Sequence, residues 1–265
     1  MNASTPKPGA KANPNVVRGA RGQANRRGFY LALGAVAVAG VGGISWAMQR
    51  AKGGAAPIVV PAAAAPVPGA ARPEGYVLGN PAAPVEIVEY ADFECPGCMQ
   101  FATLQEPDVR TRLVNTGQAH FRFYDFQVNP SHRNSPAASL AAACAADQGK
   151  FWEMHDRLFA GQDEWRTPIP GYDGGTDEPK PVFVGYAQRL GLDVPRWTQC
   201  YDGRTHLDRL AAHVQEAARA QVRSTPSFVV GNRMLAPEVR PTYDAIKALV
   251  DSAKAAPVAA APATR

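Results

Sequence analysis

The stretch EYADFECPGC, residues 89–98, joins a strand to a helix and carries two cysteines, Cys95 and Cys98. Residues 84–90 (PVEIVEY), which lead into it, are rich in β-branched side chains and predict a strand. The sequence from Cys95 onward, CPGCMQFATLQEPDVRTRLVN, predicts a helix that is broken or restarted near Pro107. The cysteine pair therefore opens a helix directly after a strand.

The position of Cys95 at a helix start determines its predicted chemistry. Backbone N–H groups in the first turn have no partner within the helix, and the helix dipole is positive there, so a thiolate is stabilised. We therefore expect a lowered pKa for Cys95 and a more buried Cys98 one turn further on. Because only two residues separate them, the sulfur atoms can close and open a small disulfide ring, which predicts thiol–disulfide exchange.

Two other interpretations of the pair remain open. It could be half of a zinc site, but the sequence has no second CxxC, and Cys144 and Cys200 have no cluster of histidines near them. It could also be an inert structural disulfide, against which its strand-to-helix placement argues. We predict a redox-active pair that uses neither a metal nor a cofactor.

The elements around this stretch predict an α/β domain. A second strand is predicted at residues 120–126, and a mostly helical block at 135–221 with a Gly- and Pro-rich loop at 162–182. Two short apolar segments around Gly231-Asn232 predict a hairpin, and residues 241–254 predict a closing helix. The predicted order is strand, helix, strand, helical block, hairpin and helix.

An uncharged run of 21 residues, 28–48 (GFYLALGAVAVAGVGGISWAM), precedes this domain. As a helix it would be about 31 Å long, which matches the hydrocarbon core of a bilayer. Residues 1–27 carry six basic residues and no acidic one, so the positive-inside rule predicts a basic cytoplasmic tail and export of everything after the run. The segment around Arg26-Arg27 is also similar to a twin-arginine export signal. Because no small-x-small cleavage site follows directly, we favour an uncleaved single-pass anchor.

Low-complexity segments flank the domain. Ala and Pro dominate residues 49–74, which predicts a semi-extended linker, and residues 254–265 predict a disordered tail. The folded unit is then residues 75–253, which hold 17 basic and 22 acidic residues, so the formal charge of +5 of the whole chain comes from the N-terminal tail. This distribution argues against nucleic acid as a partner of the domain.

Three stretches carry a resemblance to a known family. EYADFECPGC resembles the active-site strand and helix start of DsbA-like thioredoxin-fold proteins, closest to the membrane-tethered bacterial branch of thiol:disulfide oxidoreductases. AACAADQGKFW (142–152) resembles the helical insert of that family, and STPSF (224–228) resembles its cis-proline loop. The resemblance covers about residues 75–253 and implies a thioredoxin fold with a helical insertion at about 133–221.

The resemblance implies a role for Glu89. In thioredoxin-like proteins this position holds a buried acid beneath the second cysteine, where it would have a raised pKa and pass protons to and from Cys98. Alternation with the apolar Val85 and Ile87 also favours a buried face for Glu89. The alternative is a solvent-facing strand residue.

Residues on both sides of the cysteine pair are implied to contact the substrate. The resemblance implies a cis bond before Pro226, packed against the CPGC loop, with the backbone of Thr225 available to an extended substrate segment. Pro96 and Gly97 replace the Pro-His dipeptide of the strongest oxidants in the family. Neither residue has a side-chain donor for a thiolate on Cys95, so we expect a smaller lowering of the Cys95 pKa than in Pro-His relatives.

The other two cysteines, Cys144 and Cys200, fall in the helical block. In an oxidising compartment two remaining cysteines are expected to pair, and some tethered relatives carry a second disulfide of this kind. The resemblance therefore implies a structural cross-link. An electron relay to the active site is the alternative.

Together these features predict an exported thiol:disulfide oxidoreductase, most simply a dithiol oxidase that introduces disulfides through Cys95 and Cys98. Its expected partners are exported proteins with free thiols and a membrane redox protein that resets the pair. The expected location is the periplasmic side of the bacterial cytoplasmic membrane, with residues 28–48 in the bilayer. Two alternatives remain: a reductase or isomerase on the same scaffold, and a non-enzymatic binding or chaperone module.

Overall fold

The computed structural model describes residues 58–61 and 71–255. The predicted tail at 1–27 and the predicted anchor at 28–48 lie outside the described residues, as do most of the predicted linker and of the C-terminal tail. Within the described ranges, no helix combines the length and the apolar character needed to cross a bilayer.

The centre of the domain is a mixed sheet of five strands. In chain order they are β1 (Tyr76–Leu78), β2 (Glu86–Ala91), β3 (His120–Asp125), β4 (Ser227–Val230) and β5 (Arg233–Met234). Their spatial order is β1-β3-β2-β4-β5. β2 is parallel to β3, whereas the other three pairings are antiparallel. This is the thioredoxin-like α/β topology that the sequence predicted.

The helices fall into three groups along the chain. Between β2 and β3 lie α1 (Pro96–Leu104), α2 (Glu106–Val109) and a π-helical segment (Arg110–Val114). The helical insertion lies between β3 and β4 and contains α3 (Ser135–Ala146), α4 (Phe151–Ala160), α5 (Gln162–Trp165), α6 (Lys180–Arg189), α7 (Val194–Gly203) and α8 (Leu207–Arg219). The described chain ends with α9 (Tyr243–Ala255), which follows the predicted β4–β5 hairpin.

The predicted helix break near Pro107 is present, and Pro107 lies at the start of the second helix. α1 ends at Leu104, and Gln105 closes it by donating its N–H to the carbonyl of Phe101. Pro107 then falls in the first turn of α2. A proline costs no helical hydrogen bond there, because the first N–H groups of a helix have no partner within it.

Because β2 is the central strand, its two faces are covered by different elements. One face, with Ile87, packs against the side of the domain that holds α1 and α9. The other face, with Val88 and Tyr90, packs against Ala217 of α8. Five of the six residues of β2 are buried as a result, and the end of this strand is held firmly where the cysteine pair begins.

The structure differs from the sequence prediction at residues 162–182. The start of this predicted loop is the short helix α5, and Trp165 within it is 0% exposed. The indole Nε1–H of Trp165 donates to the carbonyl of Leu158 at 2.9 Å, and its ring packs beside Phe183. The start of the predicted loop is therefore helical and buried, because Trp165 contacts Leu158 of α4 and Phe183 of α6.

Residues at the end of the predicted linker contact the domain. Arg72 forms ion pairs with Glu86 at 2.5 Å and with Glu216 at 3.2 Å. The hydroxyl of Tyr124 donates to the carbonyl of Pro73 at 2.8 Å. The contacts that hold the domain together therefore begin a few residues before residue 75.

Candidate active site

Cys95 lies at the end of the turn that joins β2 to α1. It is the N-cap residue of α1, with extended backbone angles, and Pro96 occupies the first turn. The N–H of Cys95 donates to the carbonyl of Asp92, and the carbonyl of Cys95 accepts from the N–H of Met99. Proline suits this position because its fixed φ fits a helix start and its missing N–H would have no helical partner. The sequence placed Cys95 at a helix start, and the structure confirms it.

The sulfur of Cys95 is close to several hydrogen-bond donors. The thiol of Cys98 contributes most to lowering its pKa, burial opposes this, and the Thr225 side chain and the backbone N–H groups of Cys98 and Gly97 lower it further. Together they bring the pKa of Cys95 to about 5, in the predicted direction. Cys95 is 9% exposed, so a thiolate can form there and a small part of its surface reaches solvent.

Cys98 has the opposite character. It is 0% exposed, and burial raises its pKa well above the ordinary thiol value. Charges on Cys95 and Glu89 raise it further. Both cysteines are free thiols in this structure, so the dithiol form is described, with one sulfur that ionises readily and a second that holds its proton.

The loop before β4 packs against the cysteine pair. The Thr225–Pro226 peptide bond is cis, as the resemblance implied. A Cβ atom at Gly97 would lie 3.1 Å from Cδ of Pro226 and 3.7 Å from Sγ of Cys95. The structure therefore brings Cys95, Gly97, Thr225 and Pro226 together, as the sequence predicted.

A groove of about 250 Å³ lies beside this contact. Its floor includes Phe101 of α1, and the exposed side chain of Leu104 lies along it. The residues that line it are Gly97, Gln100, Phe101, Leu104, Gln105, Pro226, Arg240, Pro241 and Thr242. An apolar groove next to the reactive sulfur can hold an extended peptide side chain.

Glu89 lies in the middle of β2 and is 0% exposed. Its register neighbours are Phe123 on β3 and Phe228 on β4, which exclude water from both sides. Burial raises the pKa of this carboxyl well above its ordinary value, and the charge of Glu106 raises it further. The structure thus confirms the predicted buried face for Glu89.

A histidine and an aspartate beside the pair were missed by sequence reasoning. Asp92 is 1% exposed and accepts from Nδ1 of His132 at 2.7 Å, from the N–H of Glu94 at 2.9 Å and from the hydroxyl of Ser135. The hydrogen bond to Asp92 raises the pKa of His132, and a charge on Cys95 raises it further. Asp92 and His132 are 40 positions apart, and no local pattern links them.

Glu94 was also missed, although it fixes the insertion against the strand–helix turn. This buried carboxylate accepts from the backbone N–H groups of Asn134 and Ser135 at 2.7 Å each and of Thr167 at 2.5 Å. A carboxylate with several backbone donors is a strong local anchor. The residue directly before Cys95 therefore holds the start of α3 in place.

Cys144 and Cys200 form a disulfide, as expected, with their Cα atoms 5.8 Å apart. The bond ties α3 to α7 inside the helical insertion. Cys144 is 1% exposed and sits among the small side chains of α3. Because both sulfurs are bonded to each other, they are not free to bind a metal.

A cysteine pair at a helix start, opposite a cis-proline loop on a mixed sheet, defines a thioredoxin-fold protein with a dithiol site. The family model described as Thioredoxin (Thioredoxin_4) matches residues 71–252. This chain therefore belongs to that thioredoxin family, and its fold is the DsbA-like one that the sequence predicted.

Solved structures share this fold. BdbD from Bacillus subtilis, in its oxidised form, has a TM-score of 0.58 and 21% identity over 69% of this chain and 95% of that chain. A thioredoxin-like oxidoreductase from Silicibacter pomeroyi DSS-3 has a TM-score of 0.54 and 24% identity, and covers 69% of this chain and 93% of its own. DsbA from Chlamydia trachomatis has a TM-score of 0.56 and 18% identity, over 67% of this chain and 90% of its own.

The curated proteins that are similar to this chain in sequence are much longer than the segment that matches it. The Na(+)/H(+) antiporter NhaA 3 of Salinispora tropica is 38% identical over 158 residues, which are 60% of this chain and 22% of that protein. The antiporter NhaA of Herminiimonas arsenicoxydans is 30% identical over 170 residues, 64% of this chain and 24% of that protein. This chain thus spans about a quarter of the length of the curated relatives it matches, and the similarity concerns one segment of them.

Proposed function

We propose that this protein is an exported thiol:disulfide oxidoreductase that introduces disulfides into other exported proteins. The observation that carries the oxidising direction is the pair of opposed cysteine pKa values, about 5 for Cys95 and well above normal for Cys98. A stabilised thiolate exists only in the reduced form. A low pKa for Cys95 therefore stabilises the dithiol relative to the disulfide and makes the disulfide form an oxidant.

The proposed reaction begins from the Cys95–Cys98 disulfide. A substrate thiolate attacks Sγ of Cys95, the bond between the two cysteines breaks, and Cys98 leaves and takes up a proton supplied by Glu89. A second substrate thiolate then attacks the substrate sulfur of the mixed disulfide and expels Cys95 as a stabilised thiolate. The substrate is oxidised by two electrons, and the protein is left as the dithiol.

The groove beside Pro226 supports a peptide substrate. Cys95 has a small exposed surface, and Gly97 offers no side chain that would block the approach from this direction. We propose that an extended segment of the substrate lies over Gly97 and Pro226, pairs with the backbone at Thr225, and places an apolar side chain in the groove near Leu104.

Export and membrane attachment are supported by the sequence. Residues 1–27 and 28–48 have the charge and length of a cytoplasmic tail and a single membrane span. The Cys144–Cys200 disulfide fits an oxidising compartment, where such bonds persist. In this proposal a membrane protein accepts the two electrons from the Cys95–Cys98 dithiol and resets it.

The reduction potential tests the oxidising direction. We expect equilibration with glutathione buffers to give a potential well above that of thioredoxin, which is about −270 mV. A potential in the thioredoxin range would contradict the oxidase proposal and favour a reductase on the same scaffold. The Cys144→Ala/Cys200→Ala variant is the matched control, because it confirms that the measured couple is Cys95–Cys98.

Alkylation distinguishes an enzyme from a binding module. Iodoacetamide should modify Cys95 of the reduced protein rapidly at pH 6, because its thiolate is already the main form there. A module without redox function would show only slow modification at this pH. Labelling of Cys95 in intact cells by a membrane-impermeant maleimide, after a membrane-impermeant reductant has opened the Cys95–Cys98 disulfide, tests export. Protection of Cys95 after that reduction, with labelling in lysed cells, would contradict export.

A further inference from the structure

Three charged or polar residues form a buried cluster near Cys98. They are Glu89 of β2, Glu106 at the start of α2 and His155 of α4, each 0% exposed. One side-chain atom from each lies within 4.8 Å of the others. These residues come from three separate elements, and only Glu89 was singled out by the sequence.

The atoms that face one another lack partners. Among the described residues, neither carboxylate oxygen of Glu89 has a hydrogen bond, and the same holds for Oε2 of Glu106 and Nε2 of His155. The other atoms of these side chains are occupied: Oε1 of Glu106 accepts from Arg110 at 2.7 Å, and Nδ1 of His155 contacts Oδ1 of Asp156 at 2.8 Å. Burying four polar atoms without hydrogen-bond partners costs free energy, unless a shared proton or a bound ligand connects them.

A single shared proton is the simplest way to form a hydrogen bond among these atoms. Nδ1 of His155 donates to Asp156, because that contact of 2.8 Å is shorter than its 3.4 Å contact with the guanidinium of Arg110. Nε2 of a neutral His155 is then an acceptor, 3.8 Å from Oε2 of Glu106. With ionised carboxylates all four atoms would be acceptors. One added proton, on Glu89 or on His155, turns one of them into a donor.

The mechanism requires a path for this proton. Cys98 and Glu89 are both 0% exposed, so a proton that passes between them has no direct contact with water. Asp156, which contacts His155, reaches solvent, because 53% of its side chain is exposed. The order of groups from the sulfur outward is Cys98, Glu89, then Glu106 and His155, and finally Asp156.

We infer that Glu89, Glu106 and His155 hold one exchangeable proton beneath Cys98, and that the His155–Asp156 pair carries it to and from solvent. This inference rests on the proposed thiol–disulfide exchange and assigns positioning and proton-relay roles to three further residues outside the cysteine loop, Glu106, His155 and Asp156. When Cys98 leaves, it takes the proton from Glu89. In the oxidised protein His155 carries its proton on Nε2; it gives this proton to Glu89 while Nδ1 takes up one from water beside Asp156, which leaves the Nδ1–H tautomer of the dithiol form.

The charged groups around the relay set its pH range. The groups around Glu89 are Cys95 and Cys98 at the start of α1, Glu106 of α2, Arg110 of the π-helical segment and His155 of α4, with Asp156 beside His155. Burial and the charges of Glu106 and Cys95 raise the pKa of Glu89, whereas Arg110 lowers it. These directions favour a protonated Glu89 at the pH where Cys95 is a thiolate.

Stopped-flow reduction of the oxidised full chain by dithiothreitol, between pH 5 and 9, tests the relay. We expect His155→Gln and Asp156→Asn to slow the release of Cys98 by about tenfold at neutral pH and to alter its solvent deuterium isotope effect. Glu153→Gln, on the same helix but exposed and paired with Lys150, is the matched control and should react as the wild type does. Rates and isotope effects of both relay variants equal to this control would overturn the inference.

Two further readouts separate the possible failures. If His155→Gln does not fold, the half-exposed position of Asp156 keeps Asp156→Asn decisive. The alkylation midpoint of Cys95 near pH 5 should persist in the relay variants. A wild-type protein that shows no such midpoint would refute the proposed function itself, and not only the relay.

The same residues could also hold a cation. Dialysis against Zn²⁺ or Mn²⁺ that leaves one ion per wild-type chain, and none in Glu89→Gln, would overturn the proton assignment.

Discussion

The sulfur of Cys95 lies 3.4 Å from the backbone carbonyl oxygen of Thr225, the residue before Pro226. This contact joins the start of α1 to the loop before β4, across 130 positions of sequence. The same loop contacts Gly97 through the ring of Pro226. A change at Cys95, Gly97 or Thr225 should therefore alter the position of the other two residues.

The size of residue 97 should affect the pair in two separable ways. Gly97→Ala places a Cβ atom 3.1 Å from Cδ of Pro226, so a shift of a few tenths of an ångström is needed. We expect slower exchange with a peptide substrate and little change in the Cys95 pKa. Gly97→His adds the same crowding together with a side-chain donor near the thiolate, and should lower the Cys95 pKa below about 5.

Alkylation rates and glutathione equilibria measure both effects. The alanine variant is the steric control for the histidine variant. If Gly97→His leaves both the alkylation midpoint and the reduction potential at the values of Gly97→Ala, the imidazole does not reach the thiolate and the prediction is wrong.

His132 should help to keep Cys95 ionised. Its pKa is raised by the hydrogen bond to Asp92, and the charge of Cys95 acts on it in the same direction. A protonated imidazole therefore favours the thiolate. We expect His132→Gln to move the midpoint of Cys95 alkylation to higher pH. The effect should fade at a pH high enough to deprotonate His132 in the wild type.

The chain offers a matched control for this substitution. His206 also pairs with an aspartate, Asp147, at 2.8 Å, but it lies beside the Cys144–Cys200 disulfide. His206→Gln should leave the Cys95 midpoint unchanged. Equal midpoints in the wild type, His132→Gln and His206→Gln would show that His132 has no electrostatic effect on the active site.

Glu89 should make the stability of the domain depend on pH. Burial raises its pKa above the ordinary value of 4.5, so folding favours the protonated form. The contribution of this group to stability is full below pH 4.5 and is lost as the pH rises through the raised value. Within that window the loss is at most about 1.4 kcal/mol per pH unit for one group.

Urea unfolding of the oxidised protein between pH 4 and 9 measures this contribution without interference from the thiols. We expect Glu89→Gln to flatten the fall in stability with rising pH, because the amide cannot ionise. Glu178→Gln, at an exposed position, serves as the control. Parallel curves for the wild type and Glu89→Gln would contradict the assigned direction.

The Cys144–Cys200 disulfide should stabilise the fold without taking part in exchange. It closes a loop across 56 positions, which corresponds to about 4 kcal/mol in the chain-entropy treatment. We expect Cys144→Ala/Cys200→Ala to lower the free energy of unfolding by up to about this amount. Its exchange rate per folded molecule should equal that of the wild type.

Urea unfolding and dithiol oxidation of the same samples provide both readouts. Cys95→Ala/Cys98→Ala is the complementary control, because it keeps the second disulfide and removes the active pair. A large fall in exchange rate of folded Cys144→Ala/Cys200→Ala would support the electron relay that the sequence left open.

The main elements of the fold are encoded by local sequence patterns. β-Branched residues before Cys95 form the central strand β2, and Gly231-Asn232 closes the predicted hairpin, with Gly231 at φ 61°. The CxxC spacing with a proline after the first cysteine gives the N-cap geometry of Cys95. Such features depend on backbone sterics and on neighbouring residues, so the sequence alone is sufficient to predict them.

The surroundings of the active site depend on packing between distant segments. The helical insertion folds back onto the turn before α1. Asp92 therefore binds His132, Glu94 binds the start of α3, and Glu89 lies close to His155. Trp165 is buried by contacts with α4 and α6 of the insertion itself, although its local sequence predicts a loop. The free energy of these contacts comes from excluding water between elements far apart in the chain.

The sequence by itself therefore determined the class of fold, the reactive cysteine and its partner, and the positions of Pro226 and of the second disulfide. Only the tertiary structure decided which charges surround those sulfurs and where a buried proton can go. A pKa depends on burial and on charges within a few ångströms, and those distances exist only once the strands and the inserted helices have packed.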